Sequence, residues 1–367
     1  MTLTKQRLRI SSRKADIVKL LLALVFVSSV FLPMIRMFVH MDGRSLEKVF
    51  GGVNFGKIIT NSLVSALLGT VLTVSLAVLM AFCIHRTGIR LKGLFEVVFV
   101  LPMLIPSISC GMGLVILLGN NGLLTRFLGL GSSIYGLSGI VLGSLLYAFP
   151  VAYLMVADVL RYEDGAAYEA ARVLGIPKWR QFTSITLPYL RKPLISVVFA
   201  VFTLIITDYG VPLMVGGKYT TVASVMYQEV IGQLDFGRGA VYGSLLLIPA
   251  VVAFVVDLVN KDRGKQGFVT TPCGVSRNKM TQSAAYGGCG LMSAFLLLPL
   301  VAFALLAFAK DYPGDLTFTA DNLLKTFERG ADTYLGNSLV IATGAAAVGT
   351  ALAFCTAYLS SRMKSGV

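Results

Sequence analysis

Three glycine–lysine pairs, Gly56-Lys57, Gly217-Lys218 and Gly264-Lys265, are the nearest approach in this sequence to a phosphate-binding loop. The residues that follow them are Ile58, Tyr219 and Gln266, so none brings the Ser or Thr hydroxyl that holds Mg²⁺ in such a loop. His40 and His85 lie near opposite ends of different apolar segments, which leaves no histidine-centred triad and no metal cluster. Cys83, Cys110, Cys273, Cys289 and Cys355 show no metal-ligand spacing and imply no disulfide framework. The expectation is a chain with no catalytic residue, no metal site and no cofactor of its own.

Chemistry then has to be sought where a charge is costly. An acid at the centre of a membrane helix costs about 3 kcal/mol on insertion scales, so a charge there is a functional candidate by default. Asp208 lies in the apolar run Ile205-Ile206-Thr207-Asp208-Tyr209-Gly210-Val211-Pro212. Its carboxylate suits a polar translocation path lined by Tyr209, and it suits equally an interhelical hydrogen bond or a place at the water interface. Glu96, Asp158 and Asp257 fall near the ends of apolar runs and read as boundary charges. Pro102 and Pro106 fall inside a third apolar run, where each removes a backbone donor and kinks the helix. Such a kink can shape a pathway or serve packing alone.

The elements that would hold these residues follow from composition. Hydrophobic residues make up 56% of the 367 and charged ones 14%, with a mean hydropathy of +0.78. A soluble domain carries roughly a quarter charged residues, so this is a polytopic membrane protein. Windows of about twenty apolar residues, the length that crosses a bilayer as a helix, fall at approximately 17–39, 58–84, 94–118, 137–160, 193–215, 239–260, 284–309 and 336–360. The predicted fold is an all-α bundle of about eight transmembrane helices. The first run, Ile17 to Val39, is too long for a usual signal-peptide core and reads as a retained anchor.

A net charge of +14 would suggest nucleic acid in a soluble chain, but here its distribution sets orientation. With the N-terminus in the cytosol, only Arg36, Arg44, Lys48, Lys57, Arg126, Lys218, Arg238, Lys310, Lys325 and Arg329 of the 32 basic residues face outward. That bias favours a cytosolic N-terminus. It also puts the segment from Arg161 to Lys192 on the cytosolic side, and it makes lipid, not nucleic acid, the surrounding partner.

That segment, RYEDGAAYEAARVLGIPKWRQFTSITLPYLRK, is the most polar stretch between two long apolar runs. Asp164 can cap a first helix and Gly175 can end it in a left-handed turn. Pro177 suits the first turn of a second helix, and Pro188 closes it. Trp179, Phe182 and Ile185 recur every three residues as an apolar stripe that something must cover.

Glu169-Ala170-Ala171, Gly175 four residues later, then Phe182, Ile185, Leu187 and Pro188 resemble the EAA loop of binding-protein-dependent ABC importer permeases. The resemblance implies a multi-pass protein of the bacterial inner (plasma) membrane. It also implies two kinds of partner: ATPase subunits that dock on this loop and use ATP and Mg²⁺, and an extracytoplasmic solute-binding protein. Pro102 and Pro106 have counterparts in similar permeases. A secondary transporter or channel driven by an ion gradient is the alternative, and it would favour more buried ionisable groups than Asp208.

Laying 61–86 on 337–362 matches Asn61-Ser62-Leu63-Val64 with Asn337-Ser338-Leu339-Val340, and also Ala66, Leu76-Ala77, Ala81 and Arg86 with their counterparts. The match predicts a duplicated unit: residues 1–260 as the first, a basic cytosolic linker at 261–283, and 284–367 as the start of a second. Permeases with two fused units would continue into a second EAA loop, so the chain reads as truncated. Asp208 to Pro212, Tyr227 to Gln233 and Leu247 to Asp257 resemble the branch associated with ferric iron and 2-aminoethylphosphonate.

Overall fold

Lipid offers no hydrogen bonds to a backbone, so a chain this apolar satisfies its own amides in helices. The computed structural model describes residues 13–129, 134–260, 273–275 and 278–362. Most of the predicted linker therefore lies outside the described residues. The helices that frame the site and the spans are, in order, α1 (Ile17–Val39), α2 (Phe55–Arg86), α3 (Lys92–Val100), α4 (Ser107–Leu118) and α5 (Leu137–Arg161). Next come α6 (Ala166–Val173), α7 (Trp179–Ile206), α8 (Gly210–Val215), α9 (Val222–Tyr227), α10 (Phe236–Asn260), α11 (Lys279–Leu296), α12 (Leu298–Phe308) and α13 (Ala331–Arg362). Strands Ala309–Asp311 and Asp315–Phe318 pair as a small ribbon.

Seven described helices are long and apolar enough to cross a membrane, or eight if α11 and α12, which meet at 45°, count as one span. The expected bundle of about eight spans is therefore present, with three local differences. The third window is not a kinked helix: α3 ends at Val100, a tight 3₁₀ turn runs from Leu101 to Leu104, and α4 begins afresh at Ser107. Two missing amide donors four residues apart, at Pro102 and Pro106, leave no regular ladder to carry through. The fifth span begins far earlier than 193 and stops before 215, because Pro188 does not close a helix. Residues Phe182–Thr186 adopt a π-helical turn in which Leu187 N–H donates to the Phe182 carbonyl, and this wider turn lets the proline sit inside one continuous helix. The seventh window is bent just before Pro299.

One compact unit comprises 42–306 and 311–316. Its centre is α2, whose Ser62, Ala66, Gly69, Thr73, Ala77, Met80 and Ile84 recur at three- and four-residue spacing and are all buried. Small side chains on this stripe let other helices approach closely. A β-carbon added at Gly69 would lie 3.5 Å from the Ser144 Cβ of α5 and 3.2 Å from Ile205 Cδ1 of α7. Hydroxyls on the buried face turn back on their own helix: Thr70 Oγ1 donates to the Ala66 carbonyl at 2.6 Å and Ser62 Oγ to the Ile58 carbonyl at 3.0 Å. Phe99, Phe149 and Tyr153 stack edge and face where α3 meets α5.

The other unit comprises 1–41, 307–310 and 317–367. Its two long helices, α1 and α13, carry no buried residue in their apolar windows.

Candidate functional site

The Arg161–Lys192 loop is built on a buried acid. Glu163 is 3% exposed and forms an ion pair with Arg86, the last residue of α2. Tyr168 Oη donates to the other Glu163 oxygen at 2.5 Å, and the Arg86 guanidinium lies 4.8 Å above the Tyr168 ring. Burial first, then the carboxylate beside it, push the Tyr168 phenol above its usual range. The phenol therefore keeps its proton for Glu163, and the Thr186 hydroxyl must donate to Tyr168. Thr186 belongs to the π turn at the start of α7, so one acid ties the end of α2 to both arms of the loop. Cys273 Sγ also donates to the Glu163 carbonyl at 3.4 Å.

Between the arms the chain turns as the sequence predicts. Gly175 has φ of +66°, Ile176 N–H donates to Ala171 O at 2.9 Å and Gly175 N–H to Arg172 O at 3.0 Å, the paired bonds of a Schellman motif. The start of the helix differs slightly: Asp164 Oδ1 accepts from Ala166 N at 3.0 Å, but Gly165 occupies the cap position. Gln181 Nε2 donates to the Ile176 carbonyl at 2.6 Å and braces the turn.

The loop presents a mixed surface. Glu169 and Ala170 are exposed on the first arm and Ala171 is buried beneath them. Phe182 is covered within the chain by Phe82 of α2, ring centres 5.7 Å apart, and Ile185 is half-buried. Trp179 stacks on Phe182 but stays 73% exposed, so only part of the predicted stripe is covered. Pro188 is exposed on the continuing α7. Val173 and Leu174 add to the open surface at 88% and 74% exposed. They were not singled out from sequence, although their place just before the left-handed glycine marks them. Glu163, Arg86 and Tyr168 were missed as well.

The second polar place is the gap between α7 and α8. Asp208 stands between the two helices, not inside one. Its Oδ1 accepts from Ser107 Oγ at 2.6 Å and from Gly210 N at 3.2 Å, and its Oδ2 from Val211 N at 3.1 Å. The carboxylate thus caps α8 and draws in the first residue of α4, whose N-terminus follows Pro106. Gly210 makes this approach possible, since a β-carbon there would fall 2.5 Å from Ser107 Oγ. Gly111 of α4 and Gly143 of α5 leave the same kind of room for α8. Tyr209 is exposed and lies parallel to Tyr227, ring centres 4.7 Å apart. Pro102 is buried in the 3₁₀ turn, whereas Pro106 is exposed. Among the described residues, no group of three or more His, Cys, Asp or Glu is gathered as a metal site requires.

Residues 69–261, which include the loop and the gap, match the family model described as "Binding-protein-dependent transport system inner membrane component". The ferric transport system permease protein FbpB of Actinobacillus pleuropneumoniae is 27% identical over 360 residues, covering 90% of this chain and 51% of that protein. FbpB 1 of Haemophilus influenzae, also named for ferric transport, is 25% identical over 363 residues, covering 92% of this chain and 57% of that protein. The chain therefore spans about half the length of these curated relatives. In fold it is similar to a chain from a bacterial ABC transporter involved in the import of the acidic polysaccharide alginate. That likeness has a TM-score of 0.57 at 15% identity and covers 69% of this chain and 97% of the other.

Proposed function

Because the chain belongs to the family of binding-protein-dependent transport system inner membrane components, we propose that it is the permease of an ATP-driven importer and that its ATPase docks on the Arg161–Lys192 loop. The observation that carries this reading is the combination in that loop of firm anchoring with an uncovered apolar surface. Glu163 fixes the loop to α2, while Val173, Leu174 and Trp179 stand open beside Glu169. Exposed apolar side chains clustered on a rigid support mark a protein interface. Hydrolysis belongs to the partner, which binds ATP and Mg²⁺, since the Gly-Lys pairs here lack the hydroxyl residue of a nucleotide loop. The excess of basic residues at the loop end supports a cytosolic face for it.

In this reading ATP-driven closure of the partner moves α6 and the start of α7 together, and the Glu163 cluster passes the motion to α2. The path runs beside the α7–α8 gap, with Tyr209 presenting its ring to it and Asp208, Pro102 and Pro106 shaping the break. The cargo is ferric iron, on the strength of relatives named for ferric transport, delivered by an extracytoplasmic solute-binding protein. Two measurements test this. Glu169→Lys and Trp179→Ala should each abolish co-purification of the ATPase and uptake while leaving the permease folded, and retention of both activities would remove the docking role. A thermal-shift screen of the binding protein should show stabilisation by ferric iron, and stabilisation only by another class of solute would overturn the cargo.

A further inference from the structure

Beside the Arg161–Lys192 loop lies a cavity of about 1110 Å³, bounded by the end of α2, the start of α11 and the turn between the two arms of the loop. It exceeds the roughly 300–1,000 Å³ of usual small-molecule sites. Its two ends differ in chemistry. Where α2 stops and α11 begins, the walls are Arg86, Thr87, Asn278 and Thr281. About 10 Å along α2 at 1.5 Å per residue, and one to two turns into α11, they become Leu79, Met80, Ala284, Ala285 and Gly288. The two helices hold these ends in register: Gln282 Nε2 donates to the Gly88 carbonyl at 3.2 Å at the polar end, and a β-carbon on Gly288 would meet Met80 Cε at 3.6 Å at the apolar end.

The charge of the cavity has one sign. Its walls carry two arginines, Arg86 and Arg172, and no acid. Glu163 neutralises Arg86, whereas Arg172 forms no ion pair among the described residues. The Arg172 guanidinium lies against Gly274, where an added β-carbon would fall 2.8 Å from Nη2. The first turn of α11, capped by Asn278, adds the partial positive charge of a helix N-terminus. Leu79 and Ala284 are exposed, so the apolar end is open at the flank of the bundle.

We propose that this cavity holds one anionic diacyl phospholipid, its phosphate between Arg172 and the first turn of α11 and one acyl chain along Leu79, Met80 and Ala284. A soluble anion would satisfy the arginine and leave the apolar wall bare. A zwitterionic lipid would bring a cation to walls that offer it no acid. Basic pockets at the cytosolic ends of membrane helices suit anionic headgroups. The choice of the cytosolic leaflet rests on the placement of the loop proposed above, and the lipid then ties the turn of the loop to α11.

The test is native mass spectrometry of the full chain, purified without partners and given equal amounts of phosphatidylglycerol and phosphatidylcholine. One phosphatidylglycerol should stay bound under conditions that strip phosphatidylcholine. Arg172→Gln, at an exposed side chain, should weaken that binding about tenfold, the size of one lost charge-assisted hydrogen bond. Ala284→Trp fills the apolar end and should displace the lipid, while Arg180→Gln, on the same loop but outside the cavity, should change nothing. Equal retention of the two lipids by the unaltered chain, equal binding by Arg172→Gln and Arg180→Gln, or displacement by glycerol 3-phosphate, which has the anion without the chains, would overturn the proposal. The lipid choice of the unaltered chain decides even where a variant fails to fold. The measurement involves no ATPase, so failure of this site and failure of the docking role read out separately.

Discussion

Helices α2 and α13 are both 32 residues long, from Phe55 to Arg86 and from Ala331 to Arg362, and the sequence repeat lays the two on each other end to end. They share Asn-Ser-Leu-Val near the start, the small residues along one stripe and the closing arginine. Yet α2 lies at the centre of its unit, with 44% of its apolar window buried, whereas the window of α13 has none. A stripe of small residues therefore specifies what a helix can accept, and the helices around it decide whether the stripe is used. In α2 the stripe receives α5 and α7. Substitutions made in pairs, one in each helix, separate the two contributions.

The largest difference is expected at the end of α2. Arg86→Ala would leave Glu163 buried without its charge partner, and breaking such a pair typically costs about 3–5 kcal/mol. The check is thermal unfolding of the purified full chain in detergent. The double change Arg86→Met with Glu163→Leu should recover most of the loss, since both charges then leave together. If the single change is as mild as the double, the acid is not an anchor.

Next in size is the stripe itself. Ala77→Leu puts a branched side chain where none of the residue's surface is exposed, and overpacking of that kind costs about 1–3 kcal/mol. Its counterpart Ala353→Leu falls on an exposed face and should stay within about 0.5 kcal/mol. Equal losses at the two positions would mean that α13 is packed as α2 is, and the contrast would fail.

What could be read from sequence divides along similar lines. The exposed half of the Arg161–Lys192 loop was legible because its signals are local: a left-handed glycine, a proline and an alanine-rich turn follow one another within one segment. Its buried half was not, because Glu163 finds Arg86 77 residues away and nothing near either residue announces the other. Hydropathy windows found the spans but misjudged the fifth. The apolar run through Asp208 continues past the point where the carboxylate ends one helix and caps the next. Pro188 looked like a stop because proline removes a ladder bond, and a π-helical turn before it absorbs that loss. The openness of Val173 and Leu174 needed coordinates, since an apolar pair at a helix end is as often covered as bare.

The smallest paired effect concerns the shared asparagine. Asn61 Nδ2 donates to the Thr220 carbonyl at 3.0 Å, its own carbonyl accepts from Tyr219 Oη at 3.1 Å, and the neighbouring Ser62 Oγ accepts from Val222 N at 2.7 Å. The Asn-Ser pair of α2 therefore holds the segment between α8 and α9, close in sequence to Tyr227, which stacks on Tyr209. Asn61→Ala removes one of these bonds and leaves the Thr220 carbonyl short of a partner, a loss of about 1 kcal/mol. Asn337 is exposed, and Asn337→Ala should change stability by only a few tenths of a kcal/mol. Amide hydrogen exchange gives a sharper reading than melting here. Faster exchange at Val222 to Tyr227 in Asn61→Ala, with no change in Asn337→Ala, is expected if the repeated asparagine acts through the segment it holds. Unchanged exchange in both would leave the shared Asn-Ser without structural work in either helix.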